Sequence, residues 1–323
     1  MENNDFVVSV SPHIYGKRNT TGIMLEVIIA LIPAAIASVI IFGMRSALVI
    51  GVCVAACVGF EAIFDLICKK PMTVGDLSAV VTGLLLALNL PADIPVYISI
   101  VGSFVAIIVA KCLFGGLGFN FANPAITARV VMLMAFTENM TSVVAPKAKE
   151  NIDLIAGATP LPLLYGEESA PAFMESTSLL DMFLGIRGGA LGETSAIALL
   201  LGGIYLVVRG IITWHTPVVF IGTVFLGSLA ITGDMMSALY FTLSGGVFIG
   251  AIFMATDYVT TPCTPLGKVV FGLGCGLITL LRPPFVKGDQ GGFPSFCHVW
   301  NFYPASSLQL PTSASSQSRA KTC

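Results

Sequence analysis

Two stretches of this sequence carry side chains whose types and spacing could do chemistry. In Asp153-Leu-Ile-Ala-Gly-Ala-Thr159-Pro-Leu, a hydroxyl follows the small residues Gly157 and Ala158, with a carboxylate six residues upstream. Small residues let another molecule approach the backbone closely, so Thr159 suits modification by a separate enzyme. It does not suit self-contained catalysis, because no His lies near it in the sequence to act as general base, and a Ser/Thr hydrolase reading fails. The second stretch, residues 115–125, reads Gly-Gly-Leu-Gly-Phe-Asn120-Phe-Ala-Asn123-Pro124-Ala125. Gly-rich text followed by two amides and a proline cannot continue a helix and exposes backbone and side-chain donors. Arg129 follows shortly after, a guanidinium able to meet a carbonyl or a phosphate. The eight cysteines form no CxxC and no metal-ligand spacing; Cys53 and Cys57 read as small helix-packing residues. No metal site is expected, and no residue need act as a catalytic acid, base or nucleophile.

The elements that must position these residues are apolar. Of 323 residues 55% are hydrophobic and only 11% charged, and the mean hydropathy is +0.90. A globular domain is nearer a quarter charged, so this composition belongs to a chain whose solvent is mostly lipid. Sixteen basic against eighteen acidic residues leave no nucleic-acid footprint. Residues 1–22 are polar, end in a basic pair, and read as a cytoplasmic lead-in rather than a cleavable signal. A spanning helix needs about 20 mainly apolar residues. Candidate spans cover about 23–42, 46–66, 77–90, 95–114, 124–137, 194–213, 216–232, 236–255 and 268–282, nine in all. Segments 77–90, 124–137 and 268–282 are short, which predicts broken or partly buried helices.

The longest polar stretch, 138–193, carries eight acids against Lys147, Lys149 and Arg187, as exported loops do. The basic residues Lys17, Arg18, Lys69, Lys70, Lys111, Arg209 and Lys268 mark the retained side. The predicted organisation is therefore a lead-in (1–22), a first membrane repeat (23–137), an exported acidic loop (138–193), a second membrane repeat (194–282) and a tail (283–323). Gly75-Asp76 and Gly233-Asp234 open the third span of each half with similar text. An odd number of spans before the repetition would place these phrases on opposite faces, the signature of an inverted repeat with its site between the halves. Glu26, Glu61, Asp65, Asp76, Lys111 and Asp257 fall at or near span ends, where side chains can snorkel to water.

The Thr159 segment resembles the D-x-x-[ST]-G-A-T flavinylation signature of the Rnf and Na⁺-translocating quinone-reductase complexes, with Ala156 where Ser or Thr is usual. Ser11-Pro12-His13, residues 115–125, Asn89-Leu90-Pro91 and Asp257-Tyr-Val-Thr260-Thr261-Pro262-Cys-Thr264-Pro265-Leu-Gly267-Lys268 are also in character with that family. The likeness runs from about residue 11 to 282, and the chain length favours the RnfD branch of the NqrB/RnfD family over the NqrB branch.

The resemblance implies an all-α integral membrane protein of ten helices, as two inverted repeats of five. It implies FMN joined to Thr159 through a phosphoester, with Asp153, Gly157 and Ala158 as recognition context for a flavin transferase. Asn120, Asn123 and Arg129 become candidate contacts of a second, non-covalent flavin such as riboflavin; the plainer reading of the two asparagines is a helix cap and re-entry turn. The expected role is electron relay in an ion-translocating ferredoxin:NAD⁺ oxidoreductase (Rnf complex) of a bacterial or archaeal cell membrane. That complex would supply the other membrane and peripheral subunits, couple to Na⁺ or H⁺, and have the flavin loop outside. The alternatives are an NqrB-like quinone-reductase subunit and a secondary transporter with inverted repeats. After Arg282 the text loses its apolar character where a tenth helix is due; a reading-frame shift near residue 283 accounts for this, the alternatives being a genuine variant or a cloning scar.

Overall fold

The computed structural model describes residues 19–70, 72–141, 178–185, 188–193 and 195–280. The lead-in, most of the acidic loop and the tail lie outside them. The first half contains α1 (Thr20–Phe42), α2 (Met44–Ile67), α3 (Ser78–Leu88), α4 (Val96–Phe114, helical with short π and 3-10 segments), α5 (Pro124–Ala135) and the short α6 (Thr137–Thr141). After the loop come α7 (Leu179–Leu184), α8 (Ala196–Val208), α9 (His215–Thr232), α10 (Met235–Leu243), α11 (Val247–Met254) and α12 (Pro265–Leu280).

Each of the nine expected spans coincides with one of these helices, or with the bent pair α10 and α11. The structure is all-α, as an integral membrane protein of this composition requires. Length separates two kinds of helix. Among the described residues α1, α2, α4 and α9 are long and apolar enough to cross a membrane, and the pair α10 and α11, bent by 66°, makes a fifth if counted as one. By contrast α3, α5, α8 and α12 have 11, 12, 13 and 16 residues. At about 1.5 Å per residue α3, α5 and α8 fall short of a hydrocarbon core about 30 Å thick, while the described residues end with α12. The shortness of α8 was not expected from the apolar run 194–213; Arg209 caps it and Gly210, at positive φ, turns the chain.

The two halves share a sequence of events. In each, a Gly-Asp pair precedes a short helix (α3, α10), the chain breaks, and the next helix (α4, α11) passes into a π turn, at Val105–Val109 and Gly250–Met254. Each π turn leads to a turn that ends in a proline opening the next helix, Pro124 and Pro265. Asp234 caps α10 directly by accepting the Ser237 amide at 2.9 Å.

The halves meet where α1 packs on α8. A Cβ on Gly202 would stand 2.2 Å from the Ala30 carbonyl oxygen, so only glycine permits this approach. Close backbone crossings over small residues are how helices associate where lipid removes the hydrophobic drive. One apolar cluster, including Leu31, Leu86, Leu88, Ile98, Leu199 and Ile249, runs across both halves.

Gly202→Ala should therefore destabilise the detergent-purified protein by about 1–3 kcal/mol. Gly222→Ala, where an added methyl meets nothing within 4 Å, serves as the control. Equal melting temperatures for the two variants would show that the α1 and α8 contact does not hold the halves together.

Candidate functional site

At one end of the bundle a cavity of about 350 Å³ opens between the halves. The first-half turn contributes Leu117, Gly118, Asn120, Asn123 and Pro124; the second-half turn contributes Thr256, Asp257, Tyr258 and Val259. Ile23, Met24 and Val27 of α1, Leu85 of α3 and Phe253 of α11 supply apolar walls, while Ser78, Thr82 and Lys111 add polar groups.

The local sequence explains the first-half turn. Gly115, Gly116 and Gly118 have φ of 123°, 98° and 91°, a region that side chains rarely enter. The Asn123 side chain then accepts the amides of Ala125 and Ile126 at 3.1 and 3.5 Å, with Pro124 as the first helical residue of α5. The cap and re-entry reading of Asn123 is thus realised, and the same residue lines the cavity. Asn120 is buried, donates to the Ala122 carbonyl at 3.0 Å, and hydrogen-bonds Asp257 from the opposite half. Burial raises the Asp257 carboxyl above the usual carboxylate range, against hydrogen bonds from the Val259 amide, the Asn120 side chain and Thr260. Tyr258 in turn hydrogen-bonds the Ile211 carbonyl after α8.

The expected site residues separate. Asn120 and Asn123 come together in the cavity, whereas Arg129 is buried in α5 and does not line it. Six residues of helix, at 3.6 per turn, carry it about 9 Å along the axis and onto another face. Asp153, Gly157, Ala158 and Thr159 lie outside the described residues. The end of their loop is described: the Gly192 amide donates to the Leu88 carbonyl at 2.7 Å and the Leu191 amide to the Leu90 carbonyl at 3.0 Å. Ser78 at the first residue of α3 lines the cavity, and Leu88 is its last. Leu85 of α3 lines the cavity too, so the loop rejoins the bundle one helical turn beyond the cavity's far wall, at the opposite end of α3 from Ser78.

One group of residues is brought together that sequence proximity does not link. Glu61 and Asp65 on α2 are buried at 2% and 4% exposure and Lys111 at 2%, so none of the three snorkels to water as their span-end positions predicted. Lys111 Nζ donates to Glu61 Oε1 at 2.6 Å and to Ser78 Oγ at 2.7 Å. The Thr73 hydroxyl lies 2.8 Å from Asp65 Oδ2 and 3.2 Å from Glu61 Oε1. The one available signal was the presence of three charges near span ends, two of them a helical turn apart and the third about 50 positions away. Elsewhere Glu26 pairs with Arg209 and Tyr205, at a membrane-edge recess beside the cavity. No cluster of three metal-ligating side chains occurs among the described residues.

A bundle of broken apolar helices, with a mainly apolar cavity to which both halves contribute polar groups, defines a polytopic membrane protein. The chain belongs to the NQR2, RnfD, RnfE family, whose model matches residues 7–284. It is 43% identical over 299 residues to the D subunit of the Na(+)-translocating ferredoxin:NAD(+) oxidoreductase complex of Acetobacterium woodii, covering 92% of this chain and 89% of that one. It is 40% identical over 306 residues to the D subunit of the proton-translocating ferredoxin:NAD(+) oxidoreductase complex of Clostridium ljungdahlii, covering 91% and 89%. The D subunit of the ion-translocating oxidoreductase complex of Vibrio atlanticus is 34% identical over 325 residues, covering 90% and 91%. The kinship expected from the motifs is borne out, and the names of these relatives agree with the preference for the RnfD branch.

Removing one member of the buried pair leaves its partner charged and unpaired. Lys111→Met should cost about 3–5 kcal/mol, and the double variant with Glu61→Leu should recover most of the loss. Melting temperatures of the single and double variants in detergent check this; a double variant no more stable than the single would show that the pair's charges are not what matters.

Proposed function

We propose that this chain is the D subunit of an Rnf-type ferredoxin:NAD⁺ oxidoreductase, carrying FMN on Thr159 and a second, dissociable flavin in the cavity. It would work as an electron-transfer subunit among the other membrane and peripheral subunits of that complex, after a flavin transferase has acted on the loop. The reading rests chiefly on one observation: the two turns matching the family's motifs, with Asn120 and Asp257, converge on one cavity.

The residues present fit an isoalloxazine. Its flat apolar body suits the walls formed by Ile23, Met24, Val27, Leu85 and Phe253, and its polar edge suits Asn120, Ser78 and Lys111. A volume of about 350 Å³ lies within the range of small-molecule pockets. When bound, the flavin supplies electron transfer; the protein supplies position, electrostatics and exclusion of water. Basic residues Lys69, Lys70, Arg209 and Lys268 stand near the cavity's end of the bundle by their places in the chain, and the positive-inside rule assigns that end to the cytoplasm. The acidic loop with Thr159 then lies outside. Two flavins at opposite ends would let electrons pass across the membrane plane. The relatives at 43 and 40% identity carry different ions in their names, so kinship does not choose between Na⁺ and H⁺. Those names also put the redox reading ahead of a secondary transporter, and ferredoxin and NAD⁺ ahead of quinone.

Co-expression with the flavin transferase should give a fluorescent band on a denaturing gel, and Thr159→Ala should abolish it while leaving the acid-extractable flavin of the native complex in place. Asn120→Ala should do the reverse, lowering the extractable flavin and keeping the band. A dark wild-type band would refute covalent attachment; an FMN-bearing peptide containing Thr159, seen by mass spectrometry, would establish it.

A further inference from the structure

We propose that Glu61 and Lys111 form a proton relay into the cavity, entered from the exposed Thr73; the inference rests on the cavity holding a flavin. The contacts form an unbroken hydrogen-bonded line. Thr73 is exposed and its hydroxyl, with a single proton to donate, reaches both Asp65 Oδ2 and Glu61 Oε1. Asp65 also accepts the Thr73 amide at 2.9 Å, which fixes the mouth of the line. Glu61 accepts from Lys111 Nζ, and Nζ donates onward to Ser78 Oγ. Lys111 and Ser78 both line the cavity. The second oxygen of Glu61, Oε2, is buried and has no hydrogen-bond partner among the described residues, which leaves it able to take up a proton. Buried ionisable side chains at membrane depth are costly and are commonly retained as parts of ion or proton paths.

The physical need follows from Coulomb's law. An electron delivered to a low-dielectric cavity leaves an uncompensated negative charge unless a proton accompanies it. The electron comes from a one-electron carrier of the complex. The Lys111 Nζ–H bond breaks and its proton passes to the electron-bearing occupant, leaving a neutral amine. Glu61, protonated from solvent through Thr73 and Asp65, returns a proton to Nζ and is again a carboxylate. The sum is one electron and one solvent proton taken into the cavity, with the ion pair restored. The charged and titratable groups around Nζ are Glu61 and Asp65 of α2, with Lys70 just beyond it, the thiols of Cys57 and Cys112, and Asp257 across the cavity.

The test uses the purified complex, with its dissociable flavin quantified in every variant. Wild type should show a carboxyl band in the redox-difference infrared spectrum, a flavin potential that falls as pH rises, and slower reduction in D₂O. Glu61→Gln should lose the band and flatten the pH dependence, and should slow proton-linked reduction about a hundredfold. Asp65→Asn, which leaves the Lys111 to Glu61 contact in place, should slow it less and keep the band. Flavin present with a Glu61→Gln pH dependence equal to wild type overturns the relay alone. No dissociable flavin in the wild-type complex overturns the flavin-filled cavity and the relay together.

Discussion

A peptide group inside a bilayer must find its hydrogen bonds within the protein, and the architecture follows from how this chain meets that demand where its helices stop short. Where α3 ends, the Asn89 side chain donates to the Leu85 carbonyl at 2.7 Å. The Asn89 and Leu90 amides turn back to the Leu86 and Ala87 carbonyls. The Leu88 and Leu90 carbonyls are taken by Gly192 and Leu191, which belong to the far end of the acidic loop. The break between α10 and α11 is met from within, by the Ser244 hydroxyl on the Tyr240 carbonyl and by Gly245 at a φ of 77°. Non-helical backbone survives at this depth only when buried in protein, and Asn89, Ser244 and Leu191 are all fully buried or nearly so.

That solution, used in both halves, also builds the site. Short helices bring turns inward: the loops before α5 and α12 reach the bundle interior from opposite halves and join through Asn120 and Asp257. The cavity is thus a consequence of the breaks. Regular full-length helices would carry those turns out to the membrane surface and leave no polar recess between the repeats.

Much of this was legible in the sequence. Apolar runs locate the helices, because a segment surrounded by lipid and protein shows its character residue by residue. The Asn123-Pro124 cap announces the start of α5 through chemistry confined to a few neighbouring positions. Arg129 stands apart from the cavity because closeness in sequence is not closeness on a helix: a turn and a half moves a side chain to another face. Lys111 and Glu61 were hidden for the converse reason. Their contact spans 50 positions, and nothing in either local sequence says that a charge near a span end will face inward to a partner rather than outward to water. The return of the loop's end to the last turn of α3 is a contact between residues about a hundred positions apart, which no motif carries.

The buried pair also bears on how a membrane protein can hold a charged site ready without unfolding around it. A lone ammonium at this depth would be expelled or neutralised, whereas one bonded to a carboxylate and a serine hydroxyl retains its donors and adds little net charge. The pairing uses two of the three N–H bonds of Lys111, on Glu61 and Ser78, and keeps the side chain at the cavity wall. Stability and function therefore pull the same way here. The carboxylate that makes the lysine tolerable in the fold is the group placed to return its proton, and the hydroxyl that completes its solvation faces the space where a ligand would sit.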